Sequence, residues 1–324
     1  MNNIRASFTA ADSLPLKIFL NKKLMKGILQ KKKILPIHLQ LCPTNKCLLH
    51  CLYCSCSNED RKLELSYEAI INLMKTAKRL GCQSVTITGG GEPLLHPNIE
   101  EVIWKIHRLK IKIGLVTNGL LLHKLHKPTL DCITWCRVSF DDYRDFNFKG
   151  RLEEAIIRGK NIDWAWSYIV TEHPNIEKMK QIIGFANDHN FTHIRLVPNL
   201  LELEKVDLRF IENTLKAEDV DDSKVIYQSR NDFIEGTKEC YISLLKPIIG
   251  ADGGIWGCCG VQYLGKKPTR KYPDGMRMGS IDDFEGIVRG QKYFDGSQCD
   301  KCYYYNYNRI LRDLLGKIEH QEFV

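Results

Sequence analysis

The chain has 324 residues, a formal net charge of +8, and ordinary proportions of hydrophobic (44%) and charged (27%) residues. These values exclude an intrinsically disordered chain and leave room for one large domain with a smaller appendage. No apolar stretch approaches the roughly 18–20 residues that a membrane-spanning helix needs. No cleavable secretory signal is recognised at the N-terminus, so we expect a cytoplasmic protein without a membrane partner.

The 13 cysteines are unevenly placed, and most lie in two groups, Cys42 to Cys56 and Cys240 to Cys302. A reducing compartment disfavours disulfides, so clustered cysteines there are better explained as metal ligands or catalytic thiols. Outside the groups, Cys82, Cys132 and Cys136 are predicted to be small buried hydrophobes.

The positive charge is concentrated at the N-terminus, where residues 1–41 contain eight basic residues and one acidic residue. Such a segment could attract an anionic partner such as nucleic acid, an acidic peptide or a phosphorylated small molecule. We favour the simpler interpretation, a helix whose lysines are solvated while its apolar side caps the core. That side would comprise Leu16, Phe19, Leu20, Leu24 and Ile28.

From residue 36 onward, short apolar runs alternate with segments of helical period. Strands are predicted over Leu35–Leu41, Ser84–Thr88, Lys112–Thr117, Ile133–Phe140, Ala165–Thr171 and His193–Val197. Helices are predicted over Tyr67–Leu80, Ile99–Leu109, Leu152–Arg158, Ile176–Asp188 and about Ile310–Ile318. This alternation predicts βαβ crossovers and a parallel sheet in an α/β fold. Six units are too few for a closed eight-stranded barrel, so we expect an open, partial (β/α)6 TIM-like barrel.

The pattern changes after about residue 220, which predicts three parts. They are a basic helical extension over residues 1–35, a core over 36–220, and a small C-terminal module over 221–324. The module includes a glycine-rich segment, Gly250–Gly260, with the pattern of a hairpin.

The first cysteine group contains a C-x3-C-x2-C loop formed by Cys47, Cys51 and Cys54. Three thiolates on one short loop can bind three irons of a cubane and leave the fourth iron open, whereas Fe–S clusters normally have four cysteine ligands. The spacing alone also allows a zinc site or three of four structural ligands.

Two glycine-containing turns follow neighbouring strands. Gly89-Gly90-Gly91-Glu92 comes directly after the second predicted strand, and Thr117-Asn118-Gly119 directly after the third. Ligands of α/β sheets bind beyond the carboxyl ends of the strands, where the cysteine loop and both turns would converge. Glycines there allow a ligand to approach the backbone, and Glu92 offers an acceptor for a cationic amine.

With these motifs, roughly residues 36–200 resemble the radical S-adenosylmethionine (SAM) superfamily. The resemblance implies that Cys47, Cys51 and Cys54 hold a [4Fe–4S] cluster whose open iron is chelated by SAM. It also implies reductive cleavage of SAM to a 5′-deoxyadenosyl radical that abstracts hydrogen from a substrate, with a flavodoxin- or ferredoxin-type reductant as the electron source.

The resemblance further implies the residues that bind SAM. Tyr53 would lie near the adenine, and Gly90, Gly91 and Glu92 would bind the methionine amino group. Carboxylate, ribose and adenine contacts would come from Thr117, Asn118, Ser139, Asp141 and Val197.

The second cysteine group resembles the twitch module, a shortened SPASM domain that carries one auxiliary [4Fe–4S] cluster. The ligands expected from this resemblance are Cys240, Cys258, Cys299 and Cys302. Cys259 adjoins Cys258 and could replace it as a ligand, and by hypothesis it could instead donate a hydrogen atom to a substrate radical. The auxiliary cluster would transfer electrons or replace the apolar core of a small module.

Modification of a peptide or protein, by oxidation, cross-linking or epimerisation, is the leading expectation for the reaction. Only about 35 residues precede the first predicted strand, and a separate partner protein could supply leader binding. The alternative is modification or dehydrogenation of a nucleoside, sugar or nucleic acid, which the positive charge supports. Basic and aromatic residues of the module could contribute to nucleic-acid binding. We favour the simpler interpretation, in which the tyrosines pack around the auxiliary cluster and the basic residues are solvated. The residues concerned are Lys266, Lys267, Arg270, Lys271, Arg277, Tyr303, Tyr304, Tyr305, Tyr307 and Arg309. A non-catalytic Fe–S or zinc protein is a third interpretation.

Overall fold

The computed structural model of the protein describes residues 16–57, 59–229, 234–258, 277–299 and 302–316. Cys259, Lys266, Lys267, Arg270 and Lys271, which the sequence singled out, lie outside these residues. Within them, no helix is long and apolar enough to cross a membrane.

The described residues form a ten-stranded sheet in the order β10-β9-β8-β1-β2-β3-β4-β5-β6-β7. Its strands are β1 (His38–Leu41), β2 (Ser84–Ile87), β3 (Lys112–Thr117), β4 (Trp135–Asp141), β5 (Asp163–Val170), β6 (His193–Pro198), β7 (Val225–Tyr227), β8 (Ile248–Ile249), β9 (Gly254–Trp256) and β10 (Arg277–Ser280). Strands β1 to β7 pair in parallel in chain order, and β8 joins the free edge of β1, also in parallel. The α/β fold and the partial barrel predicted from the sequence are confirmed.

Helices connect the strands. In the described residues they are α1 (Lys22–Lys31), α2 (Tyr67–Leu80), α3 (Ile99–Arg108), α4 (Lys127–Leu130), α5 (Lys149–Arg158), α6 (Ile176–Asp188), α7 (Leu208–Ala217), α8 (Ile242–Leu245), α9 (Phe284–Arg289) and α10 (Tyr305–Leu315), with a further short helix over 16–20. Helix α2 shows why these segments begin and end where they do. The Ser66 hydroxyl accepts a hydrogen bond from the Ala69 amide, and Gly81 ends the helix at φ = +126°, which favours glycine.

The strands alternate apolar and polar side chains, which separates the core from the barrel lumen. In β1 and β2, the buried Leu39, Leu41, Val85 and Ile87 alternate with partly exposed polar residues. Because successive side chains point to opposite faces of a strand, the apolar set packs under the helices and the polar set faces the lumen. The lumen is therefore a polar chamber and not a filled core.

The described residues contain two parallel strands beyond the six predicted, β7 and β8. Strand β7 follows the sixth, but its three residues, Val225 to Tyr227, are too short to give a periodic signal. Of the predicted Gly250–Gly260 hairpin, the described part contains β9, whose antiparallel partner β8 lies just before the predicted segment, at Ile248–Ile249.

The N-terminal segment also differs from expectation. Leu24 and Ile28 are buried as predicted, but Leu16, Phe19 and Leu20 are exposed and Ile18 is buried instead. The helical path is interrupted at Asn21, whose side chain caps α1 by accepting from the Leu24 amide. The interruption shifts the helical phase. The prediction assumed one continuous helix and therefore assigned the wrong face to residues 16–20.

Candidate active site

A cavity of about 1780 Å³ opens at the carboxyl ends of the parallel strands and continues through the barrel. Among the described residues, it is lined by almost every site residue predicted from the sequence: Cys47, Cys51, Tyr53, Cys54, Gly90, Gly91, Glu92, Thr117, Asn118, Ser139, Val197, Cys240, Cys258, Cys299 and Cys302. Asp141 is the exception, because it is buried and lies behind Tyr53.

The cysteine loop is held against the glycine turn by close backbone packing. An antiparallel bridge between Thr44 and Glu64 closes the base of the loop. The Gly91 amide donates to the Thr44 carbonyl at 3.2 Å, and a Cβ on Gly91 would lie 2.1 Å from the Lys46 carbonyl oxygen. A side chain at Gly91 would therefore push the two segments apart, so the glycine brings the loop beside the strand ends.

Glu92 joins the ends of β2 and β3. One carboxylate oxygen accepts from the Thr117 hydroxyl at 2.7 Å and from the Leu94 amide at 3.0 Å, and the other accepts from the Asn118 amide at 2.7 Å. Burial raises the pKa of Glu92, and these hydrogen bonds oppose the rise. A carboxylate offers about four lone-pair positions, so the second oxygen keeps capacity for one more donor, such as an ammonium group.

Tyr53 and Asp141 connect the cysteine loop to the end of β4. The Tyr53 hydroxyl donates to Asp141 at 2.5 Å, and the other Asp141 oxygen accepts from the Tyr143 and Arg144 amides. Burial and the neighbouring Asp141 charge raise the pKa of the Tyr53 phenol, which stays protonated as a donor. Asp141 thus orients Tyr53 instead of lining the cavity itself.

Arg144 is a cavity residue that the sequence analysis missed. Its guanidinium donates to the Ser139 carbonyl at 2.6 Å and to the Asn118 carbonyl at 2.9 Å, and it packs on the rings of Phe140 and Phe148. Burial lowers its pKa, and the Asp141 charge opposes this effect. Its position three residues after Asp141 was the available signal, because a residue so close to a strand end can turn back over that end.

The Asn118 side chain offers a test of whether an amino-acid ligand fits here. Asn118 is 8% exposed, and its Nδ2 atom has no hydrogen-bond partner among the described residues, whereas its Oδ1 atom accepts from the Leu120 amide. An unpaired buried donor is costly, so a site that supplies a carboxylate acceptor would stabilise it. Together with the Arg144 charge and the acceptor on Glu92, this arrangement fits a ligand that carries both a carboxylate and an ammonium group.

The first cysteine group fits an iron–sulfur cluster by the chemistry of its donors. Cys47, Cys51 and Cys54 are partly exposed free thiols on one loop, facing the same cavity. In the described residues, no three Cys, His, Asp or Glu side chains are already gathered at ligand distances around one point. The assignment of these three cysteines as cluster ligands therefore rests on the loop motif and the shared cavity. It does not rest on ligands that are already gathered around one point in the described residues.

The second cysteine group is assembled from separate segments. Single antiparallel bridges join Cys240 to Phe294 and Ile234 to Cys302, and the Gly236 amide donates to the Cys299 carbonyl. Burial is the main cause that raises the pKa of Cys240 to about 12, and the charges of Cys302 and Cys299 contribute. These three cysteines are thus near neighbours, and Cys258 lines the same cavity.

Two arginines inside the barrel were also missed. Arg137 on β4 and Arg195 on β6 line the cavity, and burial together with both of their charges lowers the pKa of His193 to about 3. The Arg195 Nε atom donates to Gln228, whose amide donates to the Tyr303 hydroxyl beside Cys302. Their lumen-facing positions in the alternating strands could have revealed them, because a charged residue on that face must meet a polar chamber.

Residues 41–167 match the family model of the radical SAM superfamily. Over these residues the chain is similar to radical SAM domains. Enzymes of this superfamily use SAM and a [4Fe–4S] cluster, which are the groups that the cysteine loop and the neighbouring strand ends fit.

Among curated relatives, a probable GTP 3′,8-cyclase of Archaeoglobus fulgidus is 26% identical over 182 residues, covering 51% of this chain and 60% of the relative. A probable GTP 3′,8-cyclase of Methanocaldococcus jannaschii is 40% identical over 166 residues, covering 46% of this chain and 55% of the relative. The alignments thus span little more than half the length of these relatives.

Among solved structures, Streptococcus suis SuiB bound to its precursor peptide SuiA aligns with a TM-score of 0.56 at 17% identity. The alignment covers 92% of this chain and 78% of SuiB. At this identity the likeness establishes a shared fold.

Proposed function

We propose that this enzyme cleaves SAM reductively and uses the resulting radical on an anionic substrate of the nucleotide type. The observation that carries the proposal is the charge of the lumen. Arg137, Arg144 and Arg195 line it, whereas among the described lining residues the carboxylates are Glu92, Glu202 and Glu204. Glu92 is already engaged by three donors at the ends of β2 and β3.

The first cluster would be held by Cys47, Cys51 and Cys54. With this cluster and SAM bound, the chemistry supplied is reductive C–S cleavage to methionine and a 5′-deoxyadenosyl radical. Glu92 would accept a hydrogen bond from the SAM ammonium, beside the backbone of Gly90 and Gly91. These roles rest on the hydrogen-bond capacity and burial described above.

The remaining SAM contacts would surround these groups. Asn118 Nδ2 and the Arg144 guanidinium would hold the SAM carboxylate, with Thr117 and Ser139 beside them. Tyr53 and Val197 would border the adenosine, and both line the cavity. Val197 is 2% exposed, so its role would be an apolar contact.

A second [4Fe–4S] cluster would be held by Cys240, Cys258, Cys299 and Cys302 within the proposed C-terminal module. The hydrogen-bonded path from Tyr303 through Gln228 to Arg195 would couple this module to the substrate chamber. The hydrogen-donor role of Cys259 stays a proposal.

The relatives change the order of the two substrate expectations. Peptide modification led from the sequence alone, but the curated relatives described above are named for GTP cyclisation. The cationic lumen agrees with this chemistry, because guanidinium groups bind phosphate through paired hydrogen bonds. A nucleotide therefore replaces a peptide as the proposed substrate class.

The test is hydrogen abstraction from a labelled substrate. Anaerobically reconstituted protein would be incubated with dithionite, SAM and deuterated nucleoside triphosphates or, separately, deuterated peptides, and deuterium in 5′-deoxyadenosine would be measured. We expect transfer from a nucleotide. Transfer from peptides alone would overturn the substrate class.

Two arginine variants test whether the charge of the lumen binds the nucleotide. Arg195→Gln should weaken nucleotide binding roughly tenfold or more, because a charge-assisted hydrogen bond contributes about 1.5–3 kcal/mol. Arg209→Gln, at an exposed arginine of α7, is the matched control and should bind as the unaltered protein does.

A further inference from the structure

A tryptophan lies inside the barrel at a place where the neighbouring strand has no side chain. Trp135 is the first residue of β4, and its Cα partner on β3 is Gly114. Both residues line the cavity, and Trp135 is partly exposed. The indole therefore projects into the lumen and not into the core under the helices.

The glycine makes room for the ring. A Cβ atom on Gly114 would lie 2.1 Å from both Cε2 and Cζ2 of Trp135 and 2.8 Å from its Cη2 atom. These three atoms belong to the six-membered part of the indole, so this ring lies directly against the backbone of β3. A side chain at position 114 would have to displace the ring, because two atoms cannot approach so closely.

Arg137 lies on the same face of β4, two residues nearer to the SAM site. Its guanidinium carbon lies over the Trp135 ring, 5.0 Å from the centroid, which is within the range of about 6 Å for a cation–π contact. An arginine held over an aromatic ring still donates hydrogen bonds from the edge of its guanidinium. The indole therefore restricts where Arg137 can place its donors in the lumen.

The strand beside Arg137 carries small side chains on the lumen face. Arg137 pairs with Ala165 of β5, and Ser139 pairs with Ser167, which pairs in turn with Arg195 of β6. Because side chains two apart on a strand share a face, Ala165 and Ser167 both lie between the two arginines. The arrangement leaves space in the cavity beside Arg137 for a ligand that both guanidinium groups can contact.

A second tryptophan–arginine pair shows what is particular about this one. On α3, Arg108 lies over Trp104 at 4.6 Å, and Trp104 is 47% exposed. Residues four apart on a helix meet on its surface without further provision. The contact between Trp135 and Arg137 depends instead on a glycine in a different strand, and it is built inside the cavity.

We propose that Trp135, seated on Gly114, is a positioning residue that holds Arg137 for the anionic group of the substrate. This inference rests on the proposed function, because the anionic group is the phosphate chain of the proposed nucleotide. Guanidinium groups bind phosphate through paired hydrogen bonds, whose strength depends on geometry. An arginine fixed in place loses less conformational freedom on binding, so the aromatic support increases the affinity.

Calorimetric titration of the anaerobically reconstituted protein tests this role. Titration with each of the four ribonucleoside triphosphates identifies the one that binds most tightly, and the variants are compared with that nucleotide. We expect Trp135→Leu to weaken binding about fivefold through loss of the cation–π contact. Gly114→Ala should weaken it similarly by displacing the ring, and Trp135→Phe, which keeps an aromatic ring, should weaken it less.

A double-mutant cycle separates positioning from general damage. In the Arg137→Gln background, Trp135→Leu should cause no further loss of affinity, because the arginine that it positions is gone. Iron content and SAM binding should be unchanged in the Trp135 and Gly114 variants. The reason is distance, since Ser139 beside the SAM site lies four residues, roughly 13 Å, further along β4.

Two control variants match these changes. Trp104→Leu removes the exposed tryptophan–arginine pair, and Gly150→Ala adds a Cβ atom that meets nothing within 4 Å. Both should bind the nucleotide as the unaltered protein does. Unchanged affinity in Trp135→Leu, or an equal further loss in the Arg137→Gln background, would overturn the positioning role and leave nucleotide binding intact. If the unaltered protein bound none of the four nucleotides, the proposed substrate class would fail, and this role with it.

Discussion

The two ends of the barrel differ in how the charges of their described residues are balanced. At the carboxyl end, the protein's own donors and acceptors satisfy Glu92, Asp141 and Arg144, leaving a few open positions such as Asn118 Nδ2. At the amino end, the described lining supplies Lys17, Lys246 and other lysines without carboxylates. The carboxyl end is thus organised before a ligand arrives, whereas the described lining of the amino end is dominated by basic residues.

The largest effect should follow the loss of one loop cysteine. Cys51→Ala should abolish SAM cleavage and remove about four of the eight irons expected for two cubanes, because two thiolates cannot hold three irons. Iron analysis and 5′-deoxyadenosine assay check this. Cys132→Ala, at a buried cysteine away from both groups, is the control and should keep the full iron content. If Cys51→Ala also retained its iron, the loop cysteines would not be the ligands of the first cluster.

Glu92→Gln tests the organised carboxyl end next. An amide would place a donor against the Thr117 or Asn118 donors, and an unpaired buried donor costs about 1–3 kcal/mol. We expect that loss in the free energy of unfolding, measured by denaturant titration, together with weaker SAM binding. Glu101→Gln, at an exposed glutamate of α3, should change neither, and equal behaviour of the two variants would contradict the role of Glu92.

Arg144→Lys should have a smaller effect. A lysine keeps the charge but cannot reach the Ser139 and Asn118 carbonyls together. We expect SAM affinity to fall about tenfold in equilibrium binding, from the loss of one charge-assisted hydrogen bond. Lys149→Arg, the reverse exchange at an exposed residue, is the control and should leave SAM affinity unchanged. Unaltered affinity in Arg144→Lys would exclude this arginine from the SAM site.

The last prediction concerns the pH dependence of stability at the amino end of the barrel, where it requires no ligand. Between pH of about 6.5 and 3, His38 is protonated in the unfolded chain but neutral in the folded one. The unfolded state then binds more protons, so stability falls as pH drops, by up to about 1.4 kcal/mol per pH unit for this group. His38→Gln should flatten this slope in denaturant titrations at pH 4 to 7. An unchanged slope would show that His38 titrates normally.

The sequence predicted the regular part of the fold because local signals agree with the tertiary structure there. Helices α2 and α6 match their predicted ranges, and Ser66 and Asn175 cap them. Strand β7 was missed because three residues carry no period, and the N-terminal face was wrong because Asn21 interrupts the helix.

The candidate site was predictable where the motif itself fixes the spacing. The cysteine loop and the glycine turn are contiguous in sequence, so their residues could be named. Arg144, Arg137 and Arg195 depend on which way a loop folds or a strand faces, and Asp141 proved to support Tyr53 instead of lining the cavity. Such roles are set by packing between distant segments, which spacing alone does not encode.

Electron paramagnetic resonance of the reduced, anaerobically reconstituted protein, recorded with and without SAM, tests the central claim most directly. A cubane held by Cys47, Cys51 and Cys54 alone has one iron open to SAM. The account predicts that SAM changes part of the cluster signal and that 5′-deoxyadenosine forms. A signal that SAM leaves unaltered, with no 5′-deoxyadenosine, would contradict it.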